Sequence, residues 1–296
     1  VAAEFFSAQI DDLCEGVSPE EAFQRLKELQ RRVTLGLRFL VYEVEPESHA
    51  GEIFETLNAR GRELTELDKI KNYLLFLAES LPGSRKNTVV REVNVAWTGI
   101  HEQLAACNAN EDLLLRAHWL ATKDPSQRNW KGAASIKMLF QRDKYVPAAT
   151  RLKPRTNEVQ DSAALHEELV RTVLDYVDGL RKCALFTAEF LEPKAPYQAF
   201  GSGATHARVA AGGLRRTGIT AVFRPLLFAT RLKLANDGNA YTRLAEACER
   251  YAARVFIIAQ RRTNAGQASL YSLAHDLYTG TIGVDDVIAN IDSLAW

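Results

Sequence analysis

The sequence predicts a mainly α-helical protein: a multi-helix body with a small α/β remnant on its N-terminal side. Three observations carry this. Apolar residues recur at three- and four-residue spacing over most of the stretch from Asn87 to Leu294, the period of one helix face. Several helical runs open on recognisable caps. Only Leu37 to Tyr42 reads as a strand, with Leu37, Phe39 and Val41 alternating with Arg38, Leu40 and Tyr42.

Taken in order, the first clear helix starts at Ser18-Pro19-Glu20-Glu21, with Ser as cap, Pro in the first turn and Glu at the third position. It runs to about Arg32. The strand follows and ends at Glu45-Pro46. Two helices then meet at a corner within Glu52–Asn72, and Pro82-Gly83 closes the second of them. Val90, Val93, Val95, Trp97, Ile100 and Leu104 mark another helix, Leu113–Leu120 the next, and Gly132–Phe140 a shorter one. Val146–Asn157, with Pro147 and Pro154, reads as an exposed connection. Leu165, Leu169, Val173, Val177 and Leu180 stripe a long helix over Ser162–Leu191. Glu192–Gly218 is rich in Pro, Gly and Ala and reads as a long loop. Helices are expected again at Thr217–Leu234, Tyr241–Arg262, Ser269–Tyr278 and Val284–Leu294. The expected domains are residues 1–82, the end of an α/β domain, and 83–296, the helical body.

Composition narrows the function. Lys+Arg and Asp+Glu are equal at 37 each, so no global basic field advertises nucleic acid, although a local basic groove is compatible with this balance. Cys14, Cys107, Cys183 and Cys248 are far apart and form no CxxC pair, which argues for a reducing cytoplasm with neither disulfides nor zinc. No apolar run approaches the roughly 20 residues that span a bilayer, so no membrane partner is expected.

The corner itself reads EIFETLNARGRELTELDKIKN. Ile53, Phe54 and Leu57 form one apolar face, and Gly61 falls where a left-handed helix stop belongs. Thr65 and Asp68 make a capping-box-like start for the second helix, striped by Ile70, Tyr73, Leu74 and Leu77. Phe54, Leu57, Asn58, Gly61, Leu64, Asp68, Lys71 and Asn72 match a pattern of the GmrSD-type family, to which the segment is similar. That family includes modification-dependent (type IV) restriction enzymes and SspE-like antiphage effectors. Tyr251–Tyr278 resembles the family's later helical region more weakly. The resemblance implies that the α/β remnant ends a ParB/sulfiredoxin-like domain. It also implies DNA, most naturally modified DNA, as partner, and a nucleoside triphosphate, GTP among the candidates, with Mg as cofactors of a longer protein. Neither the family's Asp-Gly-Gln-Gln-Arg motif nor its HNH nuclease signature occurs in this sequence. The chain starts at Val1 and stops in a helix-like run at Trp296, and the expectation is an internal piece of a longer endonuclease, without catalytic residues, cofactor or metal of its own. Its own missing domains are then partners as well, and self-association is left open.

Two groups of candidate residues emerge. Asn58, Arg60 and Gly61 on the corner, with Asp68, Lys71 and Asn72 beyond it, suit a nucleotide-side or hinge role, against a plain helix stop with solvated arginines. Asp68 and Lys71 also have the spacing of an ordinary surface ion pair. Candidate DNA contacts are Arg128, Trp130 and Lys131, then Arg215 and Arg216, then Arg261 and Arg262. An aromatic among basic residues can stack on an unpaired base, yet a loop Trp more often fills a core. The run Phe200-Gly201-Ser202-Gly203 with Gly212-Gly213 invites a phosphate loop but lacks the GK(S/T) ending, and a flexible surface loop is the plainer expectation.

Overall fold

The computed structural model describes residues 2–36, 64–141 and 156–295. The chain divides into two compact units, Val1–Pro46 and Glu47–Trp296. The helix following the corner, Glu66–Glu79, falls in the second of these units.

The first unit is a helical hairpin of α1 (Ala2–Cys14) and α2 (Pro19–Arg31), the latter continuing as a π-helical turn over Arg32–Gly36. Ser18 caps α2 as its sequence predicts, its hydroxyl accepting from the Glu21 N–H at 3.3 Å, with Pro19 in the first turn. Arg25 donates to the Leu13 carbonyl at 3.1 Å and joins the two helices. Phe5, Phe6, Phe23 and Leu35 remain exposed. The expected strand at Leu37–Tyr42 lies outside the described residues, among which no strand is found.

The second unit is helical throughout its described length. Its elements are α3 (Glu66–Glu79), α4 (Gly83–Ala106), α5 (Glu111–Thr122), α6 (Ala133–Leu139), α7 (Thr156–Leu191), α8 (Ala204–Arg216), α9 (Arg224–Lys233), α10 (Gly238–Tyr251), α11 (Gln267–Thr279) and α12 (Val284–Leu294). Local chemistry sets the starts of several. Thr65 accepts from Asp68 N–H at 3.1 Å, Asn110 from Leu113 N–H at 3.1 Å and Asp237 from Ala240 N–H at 2.8 Å. Gly132, at φ 64, makes the turn into α6, whose first N–H, on Ala133, is capped from another helix by Glu66 at 2.6 Å. Burial pulls the Glu66 carboxyl up, but the Ala133 N–H and the Lys69 ammonium outweigh it and hold the group below its ordinary range.

Packing is layered. The long helices α4 and α7 lie together, α3 packs on α4, and α8, α10 and α12 stack in turn. Trp97 on α4 is wholly buried and donates to the Leu67 carbonyl at 3.2 Å, tying α4 to the first turn of α3. The centre is α9, which meets α5, α7, α10 and α11 and is buried at every residue from Arg224 to Arg231.

Glu192–Gly218 is not a long loop. It holds a 3-10 turn over Gln198–Gly203 and then α8, which buries Ala207, Ala210, Ala211 and Leu214. Their spacing is a helix face built from small residues, and smallness was what made the stretch read as loop. Its glycines serve contact. Gly203 and Gly238 approach so closely that a Cβ on Gly238 would meet the Phe200 side chain at 2.8 Å and the Gly203 Cα at 3.4 Å. Gly213 faces the Glu249 carboxylate inside the α8–α10 contact. Nor does the α10 helix reach Arg262: it widens into a π-helix over Ala252–Ile258 and stops there, two residues before Gln260, whose φ is 48.

Candidate functional site

Asn58, Arg60 and Gly61 lie outside the described residues. Asp68, Lys71 and Asn72 sit on α3, half-buried, beside the fully buried Leu67, Ile70 and Leu74. Asp68 accepts from the Thr65 hydroxyl at 3.0 Å and lies 4.0 Å from the His101 imidazole, which is 3.6 Å from Glu111. Among the described residues no Asp68–Lys71 ion pair forms; Asp68 turns to its own cap and toward α4.

The basic candidates stand at three separate places in the fold. Arg128 and Lys131 are exposed around the 3-10 turn Gln127–Asn129. Trp130 between them packs on the core, its ring 5.7 Å from that of Trp119. Arg215 is held against the end of α7: its guanidinium donates to the Phe190 carbonyl and lies 5.7 Å from the Phe190 ring centroid. Arg216 beside it is exposed. Arg261 and Arg262 are exposed beyond the π-helix, and the Arg261 backbone N–H closes that helix by donating to the Val255 carbonyl at 3.0 Å. No hydrogen bond, ion pair or ring contact links the three sets among the described residues.

The most unusual chemistry lies elsewhere, around the two arginines of α9. Arg231 is 3% exposed. Its guanidinium lies 4.2 Å from the Phe186 ring centroid and 4.5 Å from that of Phe200, with Tyr197 and Tyr241 both at 5.7 Å. Four π faces partly replace the hydration the cation has lost. Its charge partner is Glu189, at 2.8 Å. This is an ion pair without hydrogen-bond alignment, since Glu189 Oε2 and Arg231 Nε both lack a hydrogen-bond partner. Burial pushes the Tyr241 hydroxyl well above its ordinary range, keeping it protonated beside the cation.

Arg231 also lines a groove of about 620 Å³, walled by Leu185, Ala188, Pro196 and Leu232 with Lys182 and Glu192 among its charged groups. That volume is in the range of small-molecule clefts. Arg231 also lines a small, partly open cavity shared with Arg224.

No protein-family profile, characterised protein or solved structure matches the chain.

Neither Arg224 nor Arg231 stood out in the sequence, although a signal was there. The run Val222–Leu234 is apolar on every side, so arginines seven apart within it share one face of a helix that is buried all round. The aromatic partners come from residues 186, 197, 200 and 241, and no local spacing announces their convergence.

Proposed function

We propose that this chain is the sensing-side end and the helical body of a modification-dependent DNA restriction or antiphage defence protein of the GmrSD type, acting in the cytoplasm. The observation that carries the reading is the agreement of eight residues at fixed spacing from Phe54 to Asn72. The cap of Thr65 on Asp68 N–H and the burial of Leu67, Ile70 and Leu74 support it, because they give the second half of that segment a rigid, anchored start. In this reading the helical body relays the state of a nucleotide- and DNA-sensing domain to a nuclease domain, and the corner at Asn58–Gly61 is the hinge. A relay of this kind needs two packings close in free energy, biased by ligand at one end.

In this reading the NTP and its Mg belong to other parts of the longer protein. Replacing Asn58 and Gly61 in that protein is expected to lower NTP- or DNA-stimulated cleavage while its unfolding free energy stays within about 0.5 kcal/mol of the parent's. Stimulation that persists unchanged overturns the hinge.

The second reading is a helical protein–protein adaptor, favoured by the equal charge totals and by the mixed apolar and charged lining of the groove. A plain DNA-binding module differs from it in salt response. Phosphate contacts through Arg128, Lys131, Arg216, Arg261 and Arg262 make affinity fall steeply with ionic strength, whereas an adaptor has little DNA affinity at any salt.

A further inference from the structure

The small, partly open cavity between α7 and α9 is lined by Phe186, Thr187, Arg224, Leu227, Arg231 and Tyr241, among others. Its interior is about 10 Å³, room for one occupant the size of a water molecule. Its polar lining is strongly one-sided. Arg224 is 8% exposed, and its Nε and Nη1 are buried without a hydrogen-bond partner; Arg231 Nε is likewise unpartnered. The cavity therefore takes its lining from two guanidiniums that carry three orphaned donors between them.

Charge is equally one-sided. Glu189 neutralises Arg231, but no carboxylate pairs with Arg224 among the described residues. Desolvation pushes the Arg224 pKa down, opposed only by the Cys107 thiol. Arg224 also opens α9, where the helix dipole adds further positive potential. A buried guanidinium at a helix start, with unused donors and no counter-charge among the described residues, carries a desolvation cost that one negative ion in reach of those donors would remove.

We propose that this cavity is a binding site for one small monoanion of halide size, held by Arg224 and Arg231 and serving as the missing counter-ion of Arg224. Thr187 lines the cavity too, but its hydroxyl proton is committed to the Cys183 carbonyl at 2.8 Å, so the two guanidiniums supply the donors and the aromatic rings exclude competing water. A phosphate or sulfate is too large for the interior, so the site discriminates by size.

The experiment is thermal unfolding of the full chain in sodium chloride and in sodium gluconate at matched ionic strength. The expected result is a midpoint that rises with the logarithm of chloride concentration above Kd, by about 5 °C at a hundredfold excess over Kd, with no such rise in gluconate. Arg224→Gln removes the chloride response, whereas Arg216→Gln at the exposed end of α8 retains it. Superimposable chloride and gluconate curves for the unsubstituted chain overturn the proposal and leave water as the occupant. Should Arg224→Gln not fold, crystals grown in bromide decide the matter. An anomalous peak between Arg224 and Arg231 is expected, and its absence at full bromide overturns the site.

Discussion

At the scale of single residues, the Arg231–Glu189 pair is where substitution is most costly. The guanidinium is enclosed by Phe186 and Phe200 and opposed by one carboxylate at 2.8 Å, the arginine side chain being 3% and the glutamate 12% exposed. Arg231→Met leaves that largely covered carboxylate unpaired. A loss of about 3–5 kcal/mol in urea unfolding is expected, because the remaining charge keeps its desolvation cost without its attraction. Replacing Glu189 by Leu in the same chain is expected to recover part of the loss, giving a coupling of roughly 1–3 kcal/mol in a double-mutant cycle. Additive losses would mean that the two charges act independently.

At the scale of elements, helix starts were the most legible part of the sequence. Ser18 and Thr65 open helices where the residue pattern places them, since a cap is a local event among neighbouring residues. Elements built from small residues were not legible. Ala207, Ala210 and Ala211 carry little hydrophobic signal individually and become a helix face only against α10. The aromatic enclosure of Arg231 was hidden for a related reason: its members come from three separate elements and an intervening turn, so only the tertiary fold brings them together. Gly203 and Gly238 show the same distinction between local and tertiary causes. Neither adopts a positive φ; each lets backbone approach backbone between the 3-10 turn and the start of α10. Gly238→Ala therefore places a methyl against the Phe200 Cβ and is expected to cost about 1–3 kcal/mol, measured by chemical denaturation. Ala at Gly99, where nothing lies within reach of a Cβ on α4, is the control and is expected to be neutral or stabilising by up to about 1 kcal/mol.

At the scale of the whole molecule, stability responds to pH through His118. The imidazole is buried on α5, edge-on to Tyr176 at 5.3 Å between ring centroids, with Gly179 leaving it room. Burial, and then the nearby Lys123 charge, lower its pKa from 6.5 to about 3. Between those values the unfolded chain binds a proton that the folded chain refuses. The contribution is therefore complete above about pH 6.5 and is lost progressively as pH falls toward about 3, with a limiting slope of about 1.4 kcal/mol per pH unit. Denaturant titrations at pH 7, 6, 5 and 4 measure the slope, and His118→Gln is expected to flatten it. The same helix has a second dependence, on time. α5 packs on α9, which follows it by about 100 residues in the chain. A ribosome adding roughly 5–20 residues per second releases α5 about 5–20 s before its central partner exists. During that interval Leu114, Leu115 and Trp119 must be shielded by α3 and α7 or by a chaperone, so the burial of α9 makes completion of this core a late event in synthesis.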